Sequence, residues 1–284
     1  MSRLLVSTFI RMLKKVIFWF FVLCMFAYGV YTALNIASEA RIGFVLDRCL
    51  FECLPLMGLI SAIFTSLFIG SEYSDGTIRN KIIVGHSRIR IYLANLIVCA
   101  IASVLISLSY TVGVFVIGNM NGGELITETA TIFLCMISSL MISITFASIM
   151  TLLAILNTNK AGNVVVSMIL ALVLLVSGSF IHQKLGEPKL YDNYVTVNEM
   201  GIPTQVEQLP NPQYIEGTPR IVLEVLSDLL PSGQTIQLAD AFDTEGMTDE
   251  SIAKVPYRWM GYSLLVTFLT SVLGIALFQK KEIR

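Results

Sequence analysis

Six long apolar runs punctuate the chain, at about Val16–Ile36, Leu54–Gly70, Ile91–Ile117, Ile126–Leu156, Val164–Ile181 and Trp259–Phe278. None contains Asp, Glu, Lys or Arg. Crossing the hydrocarbon layer takes roughly 20 apolar residues as a helix. Each run therefore predicts a membrane-spanning helix, and the fourth is long enough to tilt or project beyond the bilayer. Period-two alternation is absent, which argues against a barrel. Ahead of the first run, residues 2–15 place Ser7, Arg11, Lys14 and Lys15 on one helical face and Leu5, Phe9, Met12 and Leu13 on much of the other. That pattern predicts an amphipathic helix lying on the membrane surface. The alternative is a plain basic flank that fixes topology. The basic stretch and full-length apolar run do not read as a cleavable signal peptide.

Composition sharpens this picture. Of 284 residues 55% are hydrophobic and 14% charged, against about 25% charged in ordinary soluble domains. A conventional soluble enzyme, a disordered chain and a fibrous repeat are excluded, leaving an all-α integral membrane protein. The net charge of −1 gives no sign of a nucleic-acid partner. Lys and Arg near span ends set orientation. Twelve of the 19 fall on one side, in the N-terminal segment, the second-to-third connection, Lys160 and the C-terminal tail. Both termini are thus expected in the cytoplasm. His182–Arg258, with 12 acidic and 5 basic residues, is expected outside, with Trp259 at the outer interface.

The expected organisation is 1–181 (surface helix and first five spans), 182–257 (a small α+β outer domain) and 258–284 (last span and tail). Within the outer domain, Val195–Asn198 and Thr204–Gln208 flank Met200-Gly201-Ile202-Pro203 and read as two strands and a turn. Thr218-Pro219 starts a helix, and Ser232 is expected to cap a second one through Ala241. Gly118–Leu125 and Asn157–Asn163 read as tight structural turns.

The connection after the second span is unlike the others. Ser74 or Asp75 is expected to cap a short helix, with Ile78 and Ile82 on one face, Arg79 and Ile83 beside them, and Gly85 as its stop. Ser87 would cap the next helix. A basic loop anchoring two spans would explain Arg88 and Arg90 but not an apolar stripe facing water. Such a stripe points to a docking surface.

Glu72 followed by Gly76-Thr77-Ile78-Arg79, then Gly85, Ser87 and Arg88, resembles the first cytoplasmic loop of type-2 ABC transporter permeases. Six spans, inward termini and a large outer segment before the last span fit the same family, as does Leu229–Leu238. A proline often found near His86 in relatives is missing. The resemblance implies a coupling helix seated in an ATP-binding subunit, with Glu72, Asp75, Gly76, Thr77, Ile78, Arg79, Ile82 and Ile83 as its contacts. No GxxxxGK[ST] loop is present, so ATP and Mg would belong to a separate subunit dimer. A second permease, identical or homologous, would complete an exporter in the bacterial plasma membrane. Its cargo would be an antimicrobial peptide or another amphipathic compound. A non-transporting sensor or scaffold with an outer ligand-binding domain is the alternative reading.

Other chemistry is sparse. Ionisable residues within the bilayer, the usual mark of ion-coupled carriers, are absent from the runs. Hydroxyls in the third and fourth runs, among them Ser107, Thr111, Ser139 and Ser143, either pack helices or line a cavity. His86 and His182 fall on opposite sides, so no catalytic residue is expected. The five cysteines form no metal motif. A Cys49–Cys53 bridge would be strained, and unpaired packing is the alternative.

Overall fold

Uninterrupted apolar residues with no helix breaker become helices because in lipid every backbone amide must be satisfied within its own segment. The computed structural model describes residues 1–39, 45–190, 195–197, 203–205, 210–243 and 249–281. The elements are α1 (Ser2–Lys14), α2 (Val16–Glu39), a 3-10 turn (Asp47–Cys49), α3 (Leu54–Ser74), α4 (Thr77–Ile83), α5 (Arg88–Met120), α6 (Thr129–Leu156), α7 (Lys160–Gly186), β1 (Val195–Val197), β2 (Pro203–Gln205), α8 (Thr218–Leu229), α9 (Pro231–Asp243) and α10 (Asp249–Lys280). Among the described residues six helices are long and apolar enough to cross a membrane, and they match the six runs. The chain is a mostly helical, multi-pass membrane protein.

The spans form two classes. More than half of the apolar window of α3, α5 and α6 is buried, against 28% or less in α2, α7 and α10. Each outer helix lies on an inner one: α2 on α5, α7 on α3 and α10 on α6. Between α2 and α5 the backbones nearly touch. A Cβ added at Gly113 would stand 2.5 Å from the Phe26 carbonyl oxygen, and one at Gly29 would clash with that of Tyr110. Small residues at a membrane crossing permit this approach. Hydroxyls join α6 to α10: Thr145 meets Thr267 at 3.0 Å, and Ser148 meets Thr270 at 2.6 Å.

At the end of the bundle away from the termini, Asp47 Oδ2 accepts the backbone N–H groups of Ile126 and Thr127 at 3.1 and 2.7 Å. α8 and α9 pack over this end. Arg258 pairs with Asp228 at 2.9 Å, and Ser263 donates to Gln234 at 2.7 Å. β1 and β2 pair antiparallel, Val195 opposite Gln205. The Met200–Ile202 turn lies outside the described residues.

Several expectations change. α10 starts at Asp249, so the boundary placed at 257/258 falls inside a helix. Trp259 is buried rather than set in an interface belt, because α8 and α9 cover it. Ser232 does not cap α9: Pro231 opens that helix, and the Ser232 hydroxyl is unpartnered. Cys49 and Cys53 are both buried and unbridged, while Cys24 is exposed on α2.

Candidate functional site

The site is built where α1, α4 and the ends of α3, α5, α6 and α10 converge. α3 runs on to Ser74, whose hydroxyl turns back to the Ser71 carbonyl at 3.2 Å. Neither Ser74 nor Asp75 caps α4. The N-cap is Gly76 at φ 65°, a left-handed conformation that reverses the chain between two helices with no side-chain cap. α4 closes with paired bonds, Gly85 N–H to the Ile82 carbonyl at 2.9 Å and His86 N–H to that of Lys81 at 3.1 Å. This is a Schellman stop with Gly85 at φ 95°. Ser87 holds the N-cap position of α5 but makes no side-chain cap bond.

Beneath α4 lies a buried ion cluster. Lys81 Nζ donates to both Glu72 carboxylate oxygens, at 2.7 and 2.9 Å, and reaches Thr8 Oγ1 at 3.3 Å. Arg11 of α1 donates to the same carboxylate at 3.2 Å. Both Glu72 and Lys81 are buried. Burial holds the Lys81 ammonium below its ordinary 10.5, with Glu72 pulling the other way. Removing one member of such a cluster strands a buried charge. The cluster therefore clamps α4 and α1 to the end of α3.

The expected contact residues divide between two faces of α4. Ile78 is fully buried, Ile82 packs against the core, and Glu72 is consumed by the cluster, so these three face the bundle. The outward face carries Asp75, Arg79 and Asn80 beside Ile83 and Val84, the last two 73% and 76% exposed. Thr77 is half-buried. Lys81 and Val84 were missing from the sequence-derived set. Spacing held a signal for Lys81, which falls three residues after Ile78 on the inward face. No sequence signal joins Arg11 or Thr8 to this site.

The same end of the bundle holds the end of α10. Arg88 donates to the Phe278 and Gln279 carbonyls at 3.1 and 2.9 Å and also to that of Lys281, capping α10 with a cation where the helix dipole favours one. Lys281 Nζ donates to the Ile155 carbonyl at 2.7 Å and lies 4.4 Å from the Tyr73 ring centre. Burial pushes the Lys281 amine down to about 8.

Among Ser107, Thr111, Ser139 and Ser143, the four expected to line a cavity, three hydroxyls bond back to their own helices. Thr111 donates to the Ser107 carbonyl, Ser139 to Met136 and Ser143 to Ser139, at 3.5, 2.7 and 3.0 Å. His86 and His182 lie at opposite ends, His182 3.4 Å from Asp240. No group of His, Cys, Asp and Glu among the described residues could hold a metal.

Residues 7–178, well over half of the chain, match a family model described as "ABC-2 family transporter protein". No curated protein matches the chain.

Proposed function

The chain belongs to the ABC-2 transporter family and is a membrane transporter permease subunit, and from that premise we propose that α4 is its coupling element to a separate ATP-binding subunit. The observation that carries this reading is the division of α4 into two faces. Glu72, Ile78 and Lys81 fasten it inward, while Arg79, Asn80, Ile83 and Val84 stand outward, with Asp75 ahead of them 3.9 Å from Lys15 at the end of α1. A loop that only joined two spans would gain nothing from exposing two large aliphatic side chains beside polar partners. Movement of a partner seated on this face would pass through the buried ion cluster to α1 and α3, and through Gly85 to α5.

In this reading the termini, α1 and α4 face the cytoplasm of a bacterium, and α8, α9 and the β1–β2 hairpin form an extracellular unit. Two permease subunits and two ATP-binding subunits carrying ATP and Mg make an exporter. The proposed cargo is an antimicrobial peptide or a similar amphipathic compound. Support comes from a cavity of about 280 Å³ at the α8–α9 end, where Leu185, Leu238, Val255 and Trp259 meet Asp240.

Copurification tests the reading. Ile83→Asp is expected to abolish recovery of the ATP-binding subunit with the tagged chain. Thermal stability should stay within about 0.5 kcal/mol, as for exposed substitutions generally. An intact complex with Ile83→Asp would overturn the assignment of α4.

A further inference from the structure

Beside the ion cluster, α1 and α4 enclose an open groove of about 280 Å³. Arg3, Ser7 and Arg11 line it from α1, and Asn80, Lys81 and His86 from α4 and its stop. Three cationic side chains thus meet in one groove, with one carboxylate, Glu72, shared between Arg11 and Lys81. The Arg3 guanidinium has no hydrogen-bond or ion-pair partner among the described residues. The groove therefore holds more positive charge than its own residues balance, together with hydroxyl and amide groups suited to oxyanions.

Its position identifies the anion. α1 has three faces. Leu4, Thr8 and Met12 pack inward on the bundle. The basic face, with Arg3 and Lys14, is exposed. Val6 and Ile10 are also exposed, at 52% and 46%, and Val16 follows at the start of α2. A helix with an apolar outward stripe beside a basic one lies at the boundary between headgroups and acyl chains. Basic pockets at such helix ends bind anionic headgroups.

We infer that the α1–α4 groove is a binding site for the phosphate of an anionic phospholipid headgroup, joining α1 to the α4 coupling element. This goes beyond the transport reading and does not depend on α4 contacting an ATP-binding subunit. The bound phosphate would accept from Arg3, from the Arg11 N–H groups not spent on Glu72, and from the Asn80 amide.

The test is native mass spectrometry of the full chain in detergent, with phosphatidylglycerol or phosphatidylcholine of matched acyl chains. Phosphatidylglycerol should be retained about tenfold better, since its net negative charge complements the unbalanced cations of the groove. Arg3→Gln combined with His86→Gln should reduce that preference to the phosphatidylcholine level, because neither residue belongs to the Glu72 cluster. Lys14→Gln, a basic residue on α1 outside the groove, should leave it unchanged. Equal retention of the two lipids overturns the site, as does a Lys14→Gln loss as large as that of the double variant. Displacement of phosphatidylglycerol by inorganic phosphate would make this a free-phosphate site and overturn the lipid assignment. Loss of the ATP-binding subunit from the double variant, with lipid retention intact, would make the groove a protein contact and overturn it equally.

Discussion

Two connections at the same end of the bundle do the same topological job by different means. Between α6 and α7 the chain turns in three residues, Asn157–Asn159, and Asn159 accepts the N–H groups of Ala161 and Gly162 at 3.1 and 3.4 Å. Nothing more is needed to join two spans. Between α3 and α5 the chain instead builds a helix, two left-handed glycines and a buried Glu72–Lys81 ion pair that half-exposed Arg11 of α1 joins. Burying ions is expensive in its own right and is weak evidence for stability. The second connection therefore carries structure that joining the spans does not require, and this excess is the physical basis for giving it a function.

The sharpest way to break the contrast is to remove its central charge. Glu72→Leu leaves Lys81 and Arg11 without their shared carboxylate, and losing one partner of a buried pair costs about 3–5 kcal/mol. Thermal unfolding should show that loss, with rapid proteolysis across residues 74–90. Gly85→Ala comes next. It forces a side chain into the left-handed region at φ 95°, at a cost of about 1–2 kcal/mol. It should weaken partner recovery, because the stop of α4 shifts while its outward side chains remain. Asn159→Ala removes only a helix cap from the plain turn, worth about 1 kcal/mol, and should leave partner recovery unchanged. If Asn159→Ala disturbed the complex as much as Gly85→Ala, the distinction between the two connections would fail.

The smallest effect expected is one of pH. Lys281 has a folded value of about 8 against an ordinary 10.5. Between those values the unfolded chain holds a proton that the fold does not, so stability rises with pH across that window and levels off below about 8, where both states are protonated. Lys281→Met should flatten that slope in thermal melts recorded from pH 7.5 upward.

The spans were legible because an unbroken apolar run in a chain this poor in charge has one stable solution. Their ends were less so. α3 passes the expected Gly70 by four residues because Ser71 and Ser74 bond back into their own helix, and Glu72 is neutralised by Lys81 and Arg11. A rule that stops a span at its first charge cannot know of a partner 61 residues away. The α4 helix was visible from its spacing, but its faces were not. Ile78 and Ile82 read as a stripe for a partner, and tertiary packing claimed them for the core. The caps also misled. Ser74 and Asp75 are good N-cap residues by type, yet the reversal between two helices needed the left-handed Gly76 instead.

The Arg88 contact has a consequence for how the molecule is assembled. The groups that receive the end of α10, namely Arg88, Tyr73 and the Ile155 carbonyl, belong to three earlier helices. The socket is synthesised more than a hundred residues before the plug. Until the plug arrives, the start of α5 and the end of α6 lack their final neighbours, and synthesis of α10 is the event that completes this end of the bundle.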